Sequence, residues 1–145
     1  MEPYTLAQPI GVAFDENVSK FFKDFYRVSD TPGLTTEYVN MFTKDATFIL
    51  GSNSSQGSEG IASMREAMWN AVASRTHKLG KIFPFGDDSS EVMLYGTVDL
   101  SLKNGDTKQL DWAARAQLSR DEGGYKMKFY QVYLDTGATA AYKKS

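Results

Sequence analysis

Apolar residues recur at helical spacing in the first half of the chain and at strand spacing in the second. Val18, Phe21, Phe22, Phe25 and Tyr26 fall on one face of a helix that Asp15 can cap and that runs to about residue 29. Asp30-Thr31-Pro32-Gly33 ends it, because Pro and Gly both disfavour continuation. Thr35 or Thr36 caps a short second helix with Tyr38, Val39 and Phe42 inward, and residues 46–50 read as a strand. Residues 51–57 read as a loop. Ser58 or Glu59 opens a third helix to about residue 73, with Ile61, Met64, Met68, Ala71 and Val72 buried and Trp69 at its flank. Strands follow at 76–85, 91–103, 107–120 and 125–135. Helices first and a meander second predict an α+β domain in which three helices pack on a curved antiparallel sheet.

Asn104-Gly105 is the strongest turn signal, and read as a two-residue hairpin it sets the register. Lys103 then faces Asp106, which pairs Thr97 with Trp112, Tyr95 with Ala114 and Met93 with Ala116. An even second turn adds Phe129, Gln131 and Tyr133 to that face, beside Thr97 and Asp99. The result is aromatic walls, small alanines and a few polar groups, the composition of a ligand pocket. The opposite face carries Val92, Leu94, Gly96, Val98, Leu100, Ala113, Tyr130, Val132 and Leu134. A one-residue slip would exchange the two lists. Both faces are apolar, so both need cover. Helices cover one, and a second subunit, a loop or a terminal arm covers the other.

The 145 residues suit one domain, with a core over about 15–136, an N-terminal arm and a C-terminal tail. A net charge of −2 gives no basic face for nucleic acid; Lys143 and Lys144 are too few to matter. With no cysteine there is no disulfide, thiolate metal site or Cys nucleophile. One histidine and unclustered acids make a metal site unexpected. No nucleotide-cradling glycine motif is present, and no cofactor is expected. The triplets at Asn17 and Asn53 read as chance glycosylation matches. The start of the sequence lacks signal-peptide character and no run has membrane-spanning length, so a cytoplasmic protein is expected.

Several motifs resemble the NTF2-like superfamily, and within it the SnoaL-like cyclases, isomerases and dehydratases. They are Phe21-Phe22-x-x-Phe25-Tyr26-x-x-x-Asp30, Phe42-x-x-Asp45-Ala46-Thr47-Phe48, Gln56-Gly57, His77 and Val132-Tyr133-Leu134-Asp135. The resemblance implies a cone-shaped fold with a pocket at its open end and a homodimer formed through the sheet. It also places His77 at a pocket histidine position and Asp30 where dehydratase-like members carry an acid that orients it.

His77 is the one side chain whose ordinary pKa suits proton transfer near neutrality. Its carboxylate partner is Asp30 or, from the inner-face reading, Asp99. Tyr26, Tyr95 and Tyr133 are phenol donors for a ligand oxygen. Trp69, Trp112, Phe129 and Gln131 complete the expected lining. Asp111 and Arg115 read as an outward ion pair. The expected activity is isomerisation, cyclisation or dehydration of a hydrophobic, oxygenated small molecule. The alternative is a binding module for a small ligand or a protein; a cavity plugged by Trp69, Trp112 and Phe129 would favour the protein-binding adaptor.

Overall fold

The computed structural model describes residues 4–135; the expected C-terminal tail lies outside the described residues. Asp15 accepts the Asn17 amide at 2.8 Å and so caps α1 (Glu16–Ser29). Val18, Phe22, Phe25 and Tyr26 bury that helix against the sheet. After the Pro32-Gly33 break, α2 (Thr35–Val39) contributes Tyr38 to the core. Phe42 opens a strand, β1 (Phe42–Leu50), rather than ending α2. The expected loop contains a short partner strand, β2 (Asn53–Gln56), reached through Gly51 at φ 60°.

The third helix, α3 (Gly57–Ala67), ends before Ala71 and Val72. Val72 begins β3 (Val72–Pro84), followed by β4 (Glu91–Leu102), β5 (Thr107–Asp121) and β6 (Gly124–Tyr133). The buried positions within α3 are Ile61 and Arg65. Arg65 donates to the carbonyls of Ser29 at 2.5 Å, Thr31 at 2.6 Å and Val28 at 3.3 Å. A cation there complements the negative end of the α1 dipole.

The six strands form one sheet in the order β2-β1-β6-β5-β4-β3. β1 and β6 run parallel and the other neighbours antiparallel. Extra residues in β1, β3 and β6 bend it around the helices. The N-terminal arm lies along the edge of β3, where Ala7 bridges Lys81 and buries Leu6.

The register corrects the expected faces. The Asn104-Gly105 hairpin is a three-residue loop, with Leu102 paired to Asp106 and Gly105 at φ 97°. Trp112 therefore pairs with Gly96, Ala114 with Leu94 and Ala116 with Val92. Between β5 and β6 the even turn holds near its tip, but an irregularity at Gln117/Leu118 shifts the rest, so Ala114 meets Val132 and Ala116 meets Tyr130. Trp112 thus belongs with Val98, Tyr130 and Val132 on the helix-covered face. Tyr95, Asp99, Phe129, Gln131 and Tyr133 lie on the other. Gly96 is required where it stands, because a Cβ there would collide with the Lys78 carbonyl oxygen and press on the Trp112 ring.

Candidate active site

α1 ends at Ser29, and the next residue, Asp30, projects towards β3. Its side chain is only 5% exposed and accepts three hydrogen bonds. One carboxylate oxygen contacts His77 Nδ1 at 2.6 Å. The other accepts the His77 backbone N–H at 2.7 Å and the Tyr4 hydroxyl at 2.8 Å. The imidazole is thus gripped through both its ring and its main chain. An acceptor at Nδ1 fixes the tautomer and leaves Nε2 as the nitrogen free for chemistry.

The ring packs among aromatics: 4.9 Å from Tyr26 and 5.5 Å from Trp112, centroid to centroid. Tyr26 and Tyr130 share a hydrogen bond of 2.8 Å between their hydroxyls. Burial pushes both phenols, and that of Tyr38, well above the usual tyrosine range, so all three stay protonated.

His77, Trp112, Tyr38 and Tyr130 border a cavity of about 220 Å³ between the helices and the sheet, with Tyr26 and Asp30 behind them. Val98, Leu100, Leu110, Val132 and Leu134 supply much of its surface, with His77, Arg75, Trp112, Tyr38, Tyr130 and Ser29 as the groups that can hydrogen-bond. Arg75 is 8% exposed and stacks 4.5 Å over the Trp69 ring. Desolvation lowers the pKa of its guanidinium, and the nearby Asp30 carboxylate opposes that shift. Arg65 is lowered for the same first reason. Arginine still carries its charge at neutral pH.

Among the expected site residues, the fold brings together His77, Asp30, Tyr26 and Trp112. Trp69 sits behind the cavity, holding Arg65 and Arg75 over its ring. Asp99 lies on the far face, bonded to Lys78 at 3.0 Å and Gln109 at 2.8 Å. Those partners hold its carboxyl below the ordinary range, the opposite of the raised value expected of a buried base. Tyr95 is 42% exposed and stacks on Phe83. Tyr133 bonds Gln131 at 3.0 Å, and Phe129 lies under Arg115. Arg115 pairs with Glu91 at 2.9 Å, not with Asp111. Among the described residues no His, Asp and Glu cluster could hold a metal ion, and no helix is long and apolar enough to cross a membrane.

Sequence reasoning missed Arg75, Tyr38 and Ser29, and it placed Tyr130 on the wrong face. Arg75 carried a usable signal. It stands two residues before His77, and alternate strand residues share a face. If His77 faces inward, so does Arg75.

No family model and no curated protein match the chain. Solved structures do. A Novosphingobium aromaticivorans protein provisionally described as a scytalone dehydratase matches at 13% identity over 83% of each chain, with a TM-score of 0.74. A hexachlorocyclohexane dehydrochlorinase (LinA, type 2) matches at 13% identity over 83% of this chain and 84% of that one, TM-score 0.70. Nuclear transport factor 2 from Cryptosporidium parvum matches at 14% identity over 88% of this chain and all of that one, TM-score 0.69. The shared architecture is the NTF2-like one, a curved, unclosed sheet with helices on its concave side.

Proposed function

We propose that this chain is an enzyme that moves a proton on an apolar, oxygenated small molecule, in an isomerisation, cyclisation or dehydration. His77 is the proton carrier and Asp30 its positioning partner. The observation that carries this reading is the 2.6 Å contact between His77 and Asp30 at the edge of a mostly apolar cavity. Neutral His77 takes a proton at Nε2. Asp30 stabilises the imidazolium that results, and His77 returns the proton to another atom. Tyr38 and Tyr130, the latter bonded to Tyr26, are the neutral phenols on the same cavity and can polarise a ligand oxygen.

The cavity limits the ligand. Its 220 Å³ is below the range of about 300–1,000 Å³ usual for ligand pockets, so a compound of one or two rings fits. Two structural neighbours carry names that denote eliminations, a dehydrochlorinase and a provisional dehydratase. The adaptor reading has a neighbour too, in nuclear transport factor 2. It expects a cavity plugged by Trp69, Trp112 and Phe129; of these Trp112 alone lines this one, beside His77, and the space stays open. The outer face, with Phe83, Met93, Tyr95 and Tyr133 exposed, is the surface for a second copy.

The test is hydrogen–deuterium exchange at the α-carbons of 2-tetralone, followed by NMR in D₂O. The wild type accelerates exchange over buffer, and His77→Ala loses on the order of 10² of that acceleration while keeping its circular dichroism. Equal rates in the two proteins remove His77 from the mechanism.

A further inference from the structure

The carboxylate that orients His77 is itself held by two residues that do not line the cavity, Arg65 and Tyr4. Its main chain is set by Arg65, which donates to the carbonyls of Val28, Ser29 and Thr31 on either side of Asp30. What is left to the carboxylate is rotation about its own side-chain bonds. Oδ1 meets His77 Nδ1 at 2.6 Å, and Oδ2 accepts the His77 backbone N–H at 2.7 Å and the Tyr4 hydroxyl at 2.8 Å. Two of the three donors belong to the residue being oriented. Tyr4 is the third, 26 residues from Asp30 along the chain. The arm delivers it. The Ala7 N–H donates to the Gly80 carbonyl at 3.0 Å, and the Ala7 carbonyl accepts the Ile82 N–H at 3.2 Å, both on the strand that carries His77. Leu6, 5% exposed, packs into the core between these bonds and Tyr4. Two main-chain bonds and one buried leucine make a tie of the kind that opens locally while the rest of a domain stays folded.

We propose that Tyr4 is a positioning residue for the His77–Asp30 pair: its hydroxyl holds Oδ2 in place so that Oδ1 stays on Nδ1, and the arm must be docked on β3 for the pair to be set. The effect on turnover rests on the proton-carrier role of His77; the effect on the resting imidazole stands without it. With the His77 N–H as its only other donor, Oδ2 would sit on a single pivot. The carboxylate could turn about that pivot and carry Oδ1 off the ring. A second donor from a different part of the chain removes this freedom. A phenol does so without a charge. A lysine or arginine in its place would compete with the imidazolium for the same carboxylate each time His77 takes up a proton. Tyr4 thus acts through Asp30 and needs no contact with the ligand.

The test compares Tyr4→Phe, which removes one oxygen and keeps the ring, with Leu6→Ala, which weakens the packing of the arm and keeps the hydroxyl. Three quantities are read in each full-length protein: deuterium exchange of 2-tetralone, the ¹⁵N shifts of His77 without ligand, and amide hydrogen exchange at Ala7 and Ile82, which reports docking of the arm. In Tyr4→Phe the exchange of 2-tetralone slows about tenfold, as loss of one hydrogen bond to a charged group warrants, and the loss falls in kcat with KM unmoved. The His77 nitrogens move from a single tautomer towards a mixture, while Ala7 and Ile82 keep their protection. Leu6→Ala loses that protection and moves the His77 nitrogens the same way. Unchanged nitrogens in Tyr4→Phe overturn the assignment whatever the rate does, and so does an accelerated exchange that Tyr4→Phe leaves untouched. A change at His77 that comes only with loss of protection at Ala7 and Ile82 assigns the effect to packing of the arm and overturns the part given to the hydroxyl. Nitrogens that move in Tyr4→Phe, in a protein whose wild type never exchanges 2-tetralone faster than buffer, leave Tyr4 its place and sink the proton-carrier reading instead.

Discussion

Asp30 accepts hydrogen bonds from both the ring and the backbone of one residue, and that pairing separates orientation from mere proximity. A carboxylate held only by the ring could swing with it. Here the backbone N–H of His77 pins one oxygen, and the other is left to set the tautomer. Because the chain has a single histidine, ¹⁵N NMR reads that tautomer without assignment. The neutral wild type carries its proton on Nδ1. Asp30→Asn loses this enforcement, since an amide presents either an oxygen or an NH₂ group to the ring, and the ¹⁵N pattern moves towards a mixture. Unchanged nitrogen shifts in the variant would mean that Asp30 does not set the tautomer. Trp69 shows another residue-level lesson. It supports the site by giving two arginines a π-face, which a reading of it as pocket lining does not anticipate.

Elements were largely legible, and their register was not. The helix from Asp15 to Ser29 is written in its cap, its apolar face and its Pro-Gly stop. The strands are written in their alternation. Asn-Gly, however, fits two loop lengths. The type I turn with a left-handed glycine differs by one residue from the tighter turn, and that residue decides which face is inner. Since both faces are apolar, hydrophobicity could not arbitrate. Pattern alone also hid Arg65 and Arg75, because an arginine ordinarily reads as solvent-facing. The cap itself carries a pH dependence. The Tyr125 hydroxyl at 2.6 Å, and then the Asn17 amide, hold the Asp15 carboxyl below the usual range. A depressed folded-state value stabilises above the unfolded value near about pH 4, and the benefit fades as pH falls through the folded value. Urea unfolding at neutral pH should therefore show Asp15→Ala weaker by about 1 kcal/mol. The gap between variant and wild type should narrow in acid; a gap that stays constant down to about pH 2 would deny the carboxylate its part.

At the level of the whole molecule, the sheet has two apolar faces with different work. The concave face encloses His77 and Arg75. The convex face leaves Phe83 at 51%, Tyr95 at 42% and Tyr133 at 45% exposed, close to the Arg115–Glu91 pair. Water-facing rings beside a half-buried ion pair have the make-up of an interface core with a polar rim. Sedimentation velocity should find a dimer, and Tyr95→Asp should raise its dissociation constant by on the order of tenfold or more. A wild type that stays monomeric at high concentration would refute the interface.

The arm along β3 ties the start of the chain to its chemistry. Ala7 closes a sheet edge that would otherwise offer free amides and carbonyls, and Tyr4, three residues earlier, reaches Asp30. Cleaving or restraining those few residues would act far beyond the arm: it would loosen the carboxylate that aims the imidazole and bare a strand to unwanted pairing.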